Sequence, residues 1–341
     1  MKIGALLHLT GEFAMQGQAF REGVELAIDS LNSEGSASSL QFAAQFEDSQ
    51  YKPLQSHSGA KHLANNPEVI GAVVTTMLEA KAGGKIFEQG KLPTIVLWDS
   101  SPELEQIGDY LFGIGPWAPS SGTVAADFAK SKLGAKSAVI INTNTEWSVY
   151  VADWFEREFK KSGGNLLAHY AIDPSETDFK TILLKARALD PDVLYVPIDS
   201  NILPFFKQAK QLNITKPLLT SDILDIELFN EGGDLFEGVY QTMSGDPDSP
   251  QTKAMIEEYK KKFGRSPDFI MFTAWAYDAV RLIGLAARNG EASRENVKKG
   301  LYAVSGYSGA SGAITFNSAG SAPRPVTMYI VRSRALVPVE R

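Results

Sequence analysis

Cysteine is absent from the 341-residue chain, which excludes disulfides, thiol catalysis and thiolate metal sites together without identifying a redox compartment. Histidine is almost as scarce, with four in all. None stands in a His-Glu-x-x-His pattern, and His57 and His62 are spaced off the i, i+4 face that a metal pair needs. The strained Gly-x-Ser-x-Gly nucleophile turn is missing, as is the Gly-x-Gly-x-x-Gly that brings backbone against a pyrophosphate. Positive charge is in deficit: 33 Lys and Arg against 40 Asp and Glu give a net charge of −7. Scattered lysines on an acidic chain exclude nucleic acid or an anionic membrane as the main partner, because both reward clustered cations. No uninterrupted apolar run approaches the ~20 residues of a membrane helix, and Met1-Lys2-Ile3-Gly4 opens no secretory core, so the expectation is a cytosolic chain or a mature form without its leader.

What is present is the material of a large interior. Apolar residues make up 44% and charged residues 21%, a balance that packs rather than stays disordered. The length predicts two lobes of roughly 150 residues each. Short apolar runs recur at Leu40 to Phe46, Val69 to Val74, Thr94 to Trp98, Ala138 to Ile141 and Val193 to Val196. Runs apolar at every position suit strands covered on both faces, the condition of a parallel sheet. Helical stripes alternate with them: Phe20, Val24, Ile28 and Leu31; Trp147, Val151, Trp154, Phe155 and Phe159; Met255, Ile256, Tyr259 and Phe263. The fold class is therefore α/β, with open parallel sheets. After Pro250 the pattern predicts successive helices over roughly 252–263, 269–289 and 293–301, then short glycine-rich strands near 305–316. The loosest stretches, "GIGPWAPSSG" (Gly113 to Gly122) and "SGDPDSP" (Ser244 to Pro250), read as crossings between lobes.

The first strand-loop-helix, "IGALLHLTGEFAMQGQAFREGVELAIDSLN" (Ile3 to Asn32), tests the nucleotide hypothesis directly. A P-loop needs Gly, four residues, then Gly-Lys-Ser/Thr; here five residues separate Gly11 from Gly17, and Gln18 stands where the phosphate-gripping lysine belongs. Two readings stay open: Gly11 and Gly17 shape the first strand-to-helix turn only, or they also form the rim of a different pocket.

The same stretch, with Gly4, Thr10-Gly11, Gly17, Gly23 and "LAIDSLNSEG", resembles the opening of the type I periplasmic binding proteins of the leucine/isoleucine/valine-binding family. "FEDSQYKP", "VIGAVVTT", "SPEL" and "AYDAV" follow in the family's order, and the similarity runs over essentially the whole chain. The resemblance implies two Rossmann-like lobes joined by three crossover segments, 1–117 with 248–323 and 118–247 with 324–341, and a ligand cleft between lobes that close by hinge motion. It also implies delivery of the ligand to ABC permease membrane subunits, a periplasmic or extracytoplasmic location, a monomer, no cofactor and no catalysis. A ligand-sensing regulatory protein of the same fold, of the amide-sensor type, is the alternative.

Candidate ligand residues follow first from a fold rule. In open α/β sheets ligands lie beyond the carboxyl ends of strands. Those ends carry Thr75 and Thr76, Asp99 and Ser100, Asn142 to Trp147, Asp199 and Ser200, and Ser221 and Asp222. For any one of them helix capping is the rival reading. The resemblance then implies roles: Thr75, Thr76 and Ser100 for a ligand carboxylate, Asp222 and Asp99 for an α-ammonium group, and Trp147 as a covering ring that its own helix stripe also claims for the core. Trp98 and Trp117 hint at an aromatic or bulky apolar ligand. Two departures stand out. The family's usual proline before Leu-Thr-Gly is His8, read as structural, and an aspartate of some amino-acid-binding members is replaced by Ala118.

Overall fold

The computed structural model describes residues 1–11, 13–34, 40–98 and 100–339. The chain divides into two compact units, Met1–Trp117 with Gly245–Arg324, and Ala118–Ser244 with Pro325–Arg341. The first unit begins with β1 (Lys2–Leu7), α1 (Ala14–Glu34), β2 (Ala43–Asp48), α2 (Pro53–Asn65), β3 (Val69–Val74), α3 (Met77–Gln89), β4 (Thr94–Val96) and β5 (Leu111–Gly113). The second holds α4 (Ala118–Ser131), β6 (Ser137–Thr143), α5 (Glu146–Lys161), β7 (Asn165–Ile172), α6 (Lys180–Ala188), β8 (Val193–Tyr195), α7 (Ile202–Gln211), β9 (Leu218–Ser221), α8 (Ile226–Gly232) and β10 (Tyr240–Ser244). The chain then returns to the first unit for α9 (Pro250–Phe263), α10 (Ile270–Arg288), α11 (Arg294–Tyr302) and the hairpin β11 (Tyr307–Gly309) and β12 (Gly312–Ile314). It ends in the second with β13 (Val326–Arg332) and β14 (Ala335–Pro338).

The sheet of the first unit runs β2-β1-β3-β4-β5, every pair parallel. All six residues of β3 are buried, as a strand covered on both faces requires. One face packs against α1 and α10, where Phe20, Val24, Ile28 and Leu31 meet Trp275, Val280 and Ile283; the other packs against α2 and α3 through Leu63, Met77, Ala80 and Phe87. Among the described residues α10 is the one helix long and apolar enough to cross a membrane, yet 72% of it is buried in the protein. It carries Asp278, whose carboxylate accepts from the Ala310 and Ser311 N–H groups at 2.9 and 2.7 Å and so pins the β11–β12 hairpin.

The second unit's sheet runs β14-β13-β10-β9-β8-β6-β7. It departs from the expectation of parallel sheets throughout: β13 pairs antiparallel with β10 and with β14. For β13 and β14 the cause is the short turn at Ser333 and Arg334, both at positive φ, which reverses the chain directly with no room for a crossover helix; β13 reaches β10 only after the chain has passed back through the first unit. β2 also starts later than its apolar run, at Ala43 rather than Leu40, because Phe42 is held at its backbone by the Asn32 side chain in both directions at 2.9 Å.

Arg294, at the start of α11, locks the first unit's far end. Its guanidinium donates to the carbonyls of Val69 (2.8 Å), Ala64 (3.0 Å), Gly90 (2.6 Å) and Asn66 (2.7 Å), joining the ends of α2 and α3 to β3. Each such bond to a charged donor contributes about 1.5–3 kcal/mol. Arg294→Met is expected to lower stability by about 3 kcal/mol or more in urea unfolding, whereas Arg157→Met, on an exposed helix face, is expected to change it by less than about 0.5 kcal/mol.

Candidate functional site

Strand order locates the chemistry of each unit before any side chain is considered. In the first sheet the chain steps from β1 outward to β2 and then back across to β3, so the topological switch point lies between the ends of β1 and β3. His8 and Thr10 follow β1, Thr75 and Thr76 follow β3, and Trp98 and Ser100 follow β4. In the second sheet the switch point lies between β6 and β8, whose ends lead to Trp147 and Asp199; Asp222 follows β9.

Gly11 and Gly17 do not make a phosphate cradle. Thr10 donates its hydroxyl to Asp48 Oδ2 at 2.6 Å, and Asp48 Oδ1 accepts from the Leu9 and Gln50 N–H groups at 2.9 and 3.0 Å. A carboxylate occupies the position where an anion would need donors. Burial pushes this carboxyl up, but these bonds outweigh it and hold its pKa below the ordinary value. Gly11 takes φ +94°, and a Cβ on Gly17 would stand 2.0 Å from the His8 carbonyl oxygen. The two glycines thus let the start of α1 close onto the end of β1.

Capping and ligand readings separate at Thr75 and Thr76. Thr76 is the N-cap of α3: its hydroxyl accepts from Leu78 N–H at 3.2 Å, and its own N–H donates to Glu79 Oε2 at 2.9 Å. This is a capping box, with the Thr-x-x-Glu signature visible in the sequence. Thr75 is different. It is fully buried and its hydroxyl has no hydrogen-bond partner among the described residues. Ser100 repeats the pattern: its N–H donates to Pro116 O at 3.0 Å while its buried hydroxyl has no partner among the described residues. Asp99 lies outside the described residues.

Trp98 is half-buried in a cluster of rings that the sequence reading did not assemble. Its indole lies 4.8 Å from Phe272, 5.9 Å from His8 and 6.1 Å from Phe13 and from Phe20, and Phe13 lies 4.8 Å from Tyr51. Phe13, Tyr51 and Phe272 come from three distant segments, so no local spacing could reveal them. The aromatic residue following a predicted strand end was the available signal.

In the second unit Trp147 is half-buried and packs against the cluster of Val151, Phe155 and Tyr195, so its core role is real. Asp199 is held by hydroxyls: it accepts from Thr145 Oγ1 and from Ser200 Oγ at 3.4 Å, and its N–H donates to Thr143 Oγ1 at 3.1 Å. Burial raises its pKa and the Thr145 and Thr143 bonds moderate the rise. Asp222 has no such support. Both carboxylate oxygens are buried and unpartnered among the described residues, and the nearby hydroxyls of Tyr195, Ser221 and Thr242 bond one another, at 2.8 and 2.9 Å. Burial alone pushes its pKa up to about 7. Ala118, the first residue of α4, is buried and brings no charge. Among the described residues no group of three or more His, Asp and Glu could hold a metal ion.

An unpartnered buried carboxylate makes a stability prediction. Because the folded pKa of Asp222 lies above its ordinary 3.8, the folded state holds the proton more tightly, and stability falls as pH rises from about 4 to about 7. The rise from 3.8 to about 7 corresponds to roughly 4 kcal/mol. In the ligand-free protein Asp222→Asn should therefore raise the urea midpoint at pH 8 and leave it unchanged at pH 4. Equal midpoints at both pH values would show that the carboxylate has a partner.

Comparison with known proteins places this geometry. A sequence profile for the family described as Periplasmic binding protein matches residues 1–335. The Leu/Ile/Val-binding protein homolog 3 of Brucella melitensis biotype 1 is 23% identical over 332 residues, covering 95% of this chain and 89% of that protein. The crystal structure of the leucine binding protein LivK from Thermotoga maritima superposes with a TM-score of 0.88 at 25% identity, covering 100% of this chain and 98% of that one. A solute binding protein of an ABC transporter from R. palustris, solved in complex with 4-hydroxybenzoate, gives a TM-score of 0.88 at 20% identity over 100% of this chain and 96% of that one. With two α/β units whose strand ends carry unpartnered buried polar groups, and a profile match across nearly its whole length, this chain belongs to the periplasmic binding protein family.

Proposed function

We propose that this chain is the extracytoplasmic substrate-binding protein of an ABC importer and that its ligand is a small carboxylate with an apolar or aromatic body. The single observation that carries the reading is that Thr75, Ser100 and Asp222 each follow a strand end and keep a buried polar group without a partner among the described residues. A buried polar atom left unpaired costs about 1–3 kcal/mol, so a ligand that supplies the missing bonds recovers that cost on binding. Thr75 and Ser100 offer hydroxyl donors suited to a carboxylate. Asp222 offers an acceptor for an ammonium group, or, when protonated, a donor to a neutral oxygen. Thr75 and Ser100 belong to the first unit and Asp222 to the second.

The transport reading is favoured over the sensor by the relatives, among them a leucine binding protein and a solute binding protein of an ABC transporter. Magnitudes are consistent with a ligand the size of an amino acid. About three charge-assisted hydrogen bonds at ~1.5–3 kcal/mol each and about four buried carbons at ~0.8 kcal/mol each give a gross gain of about 8–12 kcal/mol, against which association costs are set; micromolar affinity corresponds to about −8 kcal/mol. A second reading, an aromatic acid, is favoured by the rings of Phe13, Tyr51, Trp98 and Phe272 around the first unit's strand ends.

A thermal-shift panel of apolar amino acids, benzoate and hydroxybenzoates tests both. At least one compound at millimolar concentration is expected to raise the melting temperature by several degrees; a flat panel would remove the reading. For the compound that binds, Asp222→Ala is expected to weaken an ammonium-bearing ligand by at least tenfold more than a simple carboxylate. Equal losses would take the ammonium role from Asp222.

A further inference from the structure

Arg324 stands between two prolines, Pro323 and Pro325. Neither neighbour has a backbone N–H to offer, and the residue before Pro325 is held to extended backbone. The side chain is buried, with 4% of the residue exposed, although arginine is almost never buried this far without a partner. One edge of its guanidinium is committed: Nη1 donates to the Ser311 carbonyl and to Ser311 Oγ, the latter at 2.9 Å. The other edge, Nε with Nη2, is buried and has no hydrogen-bond partner among the described residues. Those two nitrogens carry the parallel N–H bonds of the arginine fork, the edge that grips a carboxylate through two hydrogen bonds at once.

The acid on the same turn is spent elsewhere. Asp278 takes the Ala310 and Ser311 N–H groups at 2.9 and 2.7 Å and the Ser311 hydroxyl, so its link to Arg324 runs through Ser311 Oγ. Thr252 Oγ1 donates to the Ala310 carbonyl at 2.6 Å. The β11–β12 turn is thereby saturated, and it holds the guanidinium by one edge. Burial pulls the Arg324 guanidinium down to about 10, and the Asp278 charge offsets only part of that fall, which leaves a buried cation under-compensated. We propose that the Nε–Nη2 edge of Arg324 is a binding site for a small monocarboxylate, of the size of formate or acetate, built into the first unit, to which Arg324, Ser311, Asp278 and Thr252 all belong. The inference goes beyond the ligand reading and uses none of Thr75, Ser100 or Asp222. Its physical basis is pre-organisation: two bonds to Ser311 and the flanking prolines fix the guanidinium plane, so little side-chain freedom remains to be lost on binding. A water molecule would accept from the fork without supplying the charge that the buried cation lacks.

Thermal unfolding in sodium formate or acetate, against sodium chloride at the same pH and ionic strength, tests the site. A ligand of the folded state stabilises it with the logarithm of its concentration, so raising either carboxylate from about 1 to about 100 mM is expected to raise the melting temperature of the wild type by several degrees beyond chloride. Arg324→Lys keeps the charge and loses the fork, and its melting temperature is expected to be the same in acetate as in chloride. Thr75→Val is expected to keep the wild-type response. A response retained in Arg324→Lys overturns the inference, as does a flat wild type; a response lost in Thr75→Val also overturns it, by assigning the carboxylate to the strand ends. The measurement contains neither leucine nor benzoate, so a flat panel with those compounds would remove the ligand reading and leave this one standing. Should Arg324→Lys fail to fold, a crystal of the wild type grown in formate, at the concentration that gives half the thermal shift, decides. A planar anion bonded to both Nε and Nη2 upholds the site; a water, or a carboxylate of the chain itself, in that place overturns it.

Discussion

A parallel sheet buried on both faces has one place left for polar chemistry, the ends of its strands, and the arrangement of this protein depends on that constraint. β3 is apolar at all six positions, so it can carry no functional group along its length. Its first polar residue is Thr75, at the point where the backbone leaves the sheet and the pleat no longer dictates what must be apolar. The same holds for Ser100 beyond β4 and Asp222 beyond β9. What distinguishes these three from ordinary caps is satisfaction. Thr76 and Asp199 bond neighbours within their own loops, whereas Thr75, Ser100 and Asp222 bond none among the described residues.

Cost and chemistry point the same way. Proteins rarely leave buried polar atoms unpaired, and among the described residues the unpaired atoms include two hydroxyls in the first unit and a carboxylate in the second. Other buried groups are mixed in this respect: Ser244, Trp275, Ser321 and Arg324 also keep unpartnered atoms among the described residues, whereas others are fully engaged. Arg294 spends its guanidinium on four carbonyls, and Asp278 takes two backbone N–H groups of the β11–β12 hairpin. Even Asp48, beside the glycine-framed opening loop, is fully engaged.

His8 shows how a substitution away from a family pattern changes local physics. A proline at this place would supply neither charge nor donor. An imidazole enclosed by four rings and 3.7 Å from a buried carboxylate couples the end of β1 to the cap of α3. Gly17 keeps this arrangement possible, since any side chain there would collide with the His8 carbonyl.

Composition and periodicity by themselves determined the α/β class, the parallel cores, the helices expected over roughly 252–263 and 269–289 and found over 250–263 and 270–288, and the positions of the polar strand ends, because each follows from a local repeat of apolar residues or from its interruption. The short hairpin near 305–316 was legible from its glycines. The antiparallel β13 and β14 were not: β14 is a short edge strand whose direction is set by the turn before it, and β13 pairs with β10 from a distant part of the chain. The capping box of Thr76 and Glu79 stood in the sequence as Thr-x-x-Glu, yet only coordinates separated the occupied Thr76 from the vacant Thr75. Which hydroxyls and carboxylates remain unpaired, which rings gather around Trp98, and that His8 meets Glu79, were decided by tertiary structure alone: hydrogen-bond satisfaction and burial depend on neighbours brought from distant segments, and no local spacing encodes them.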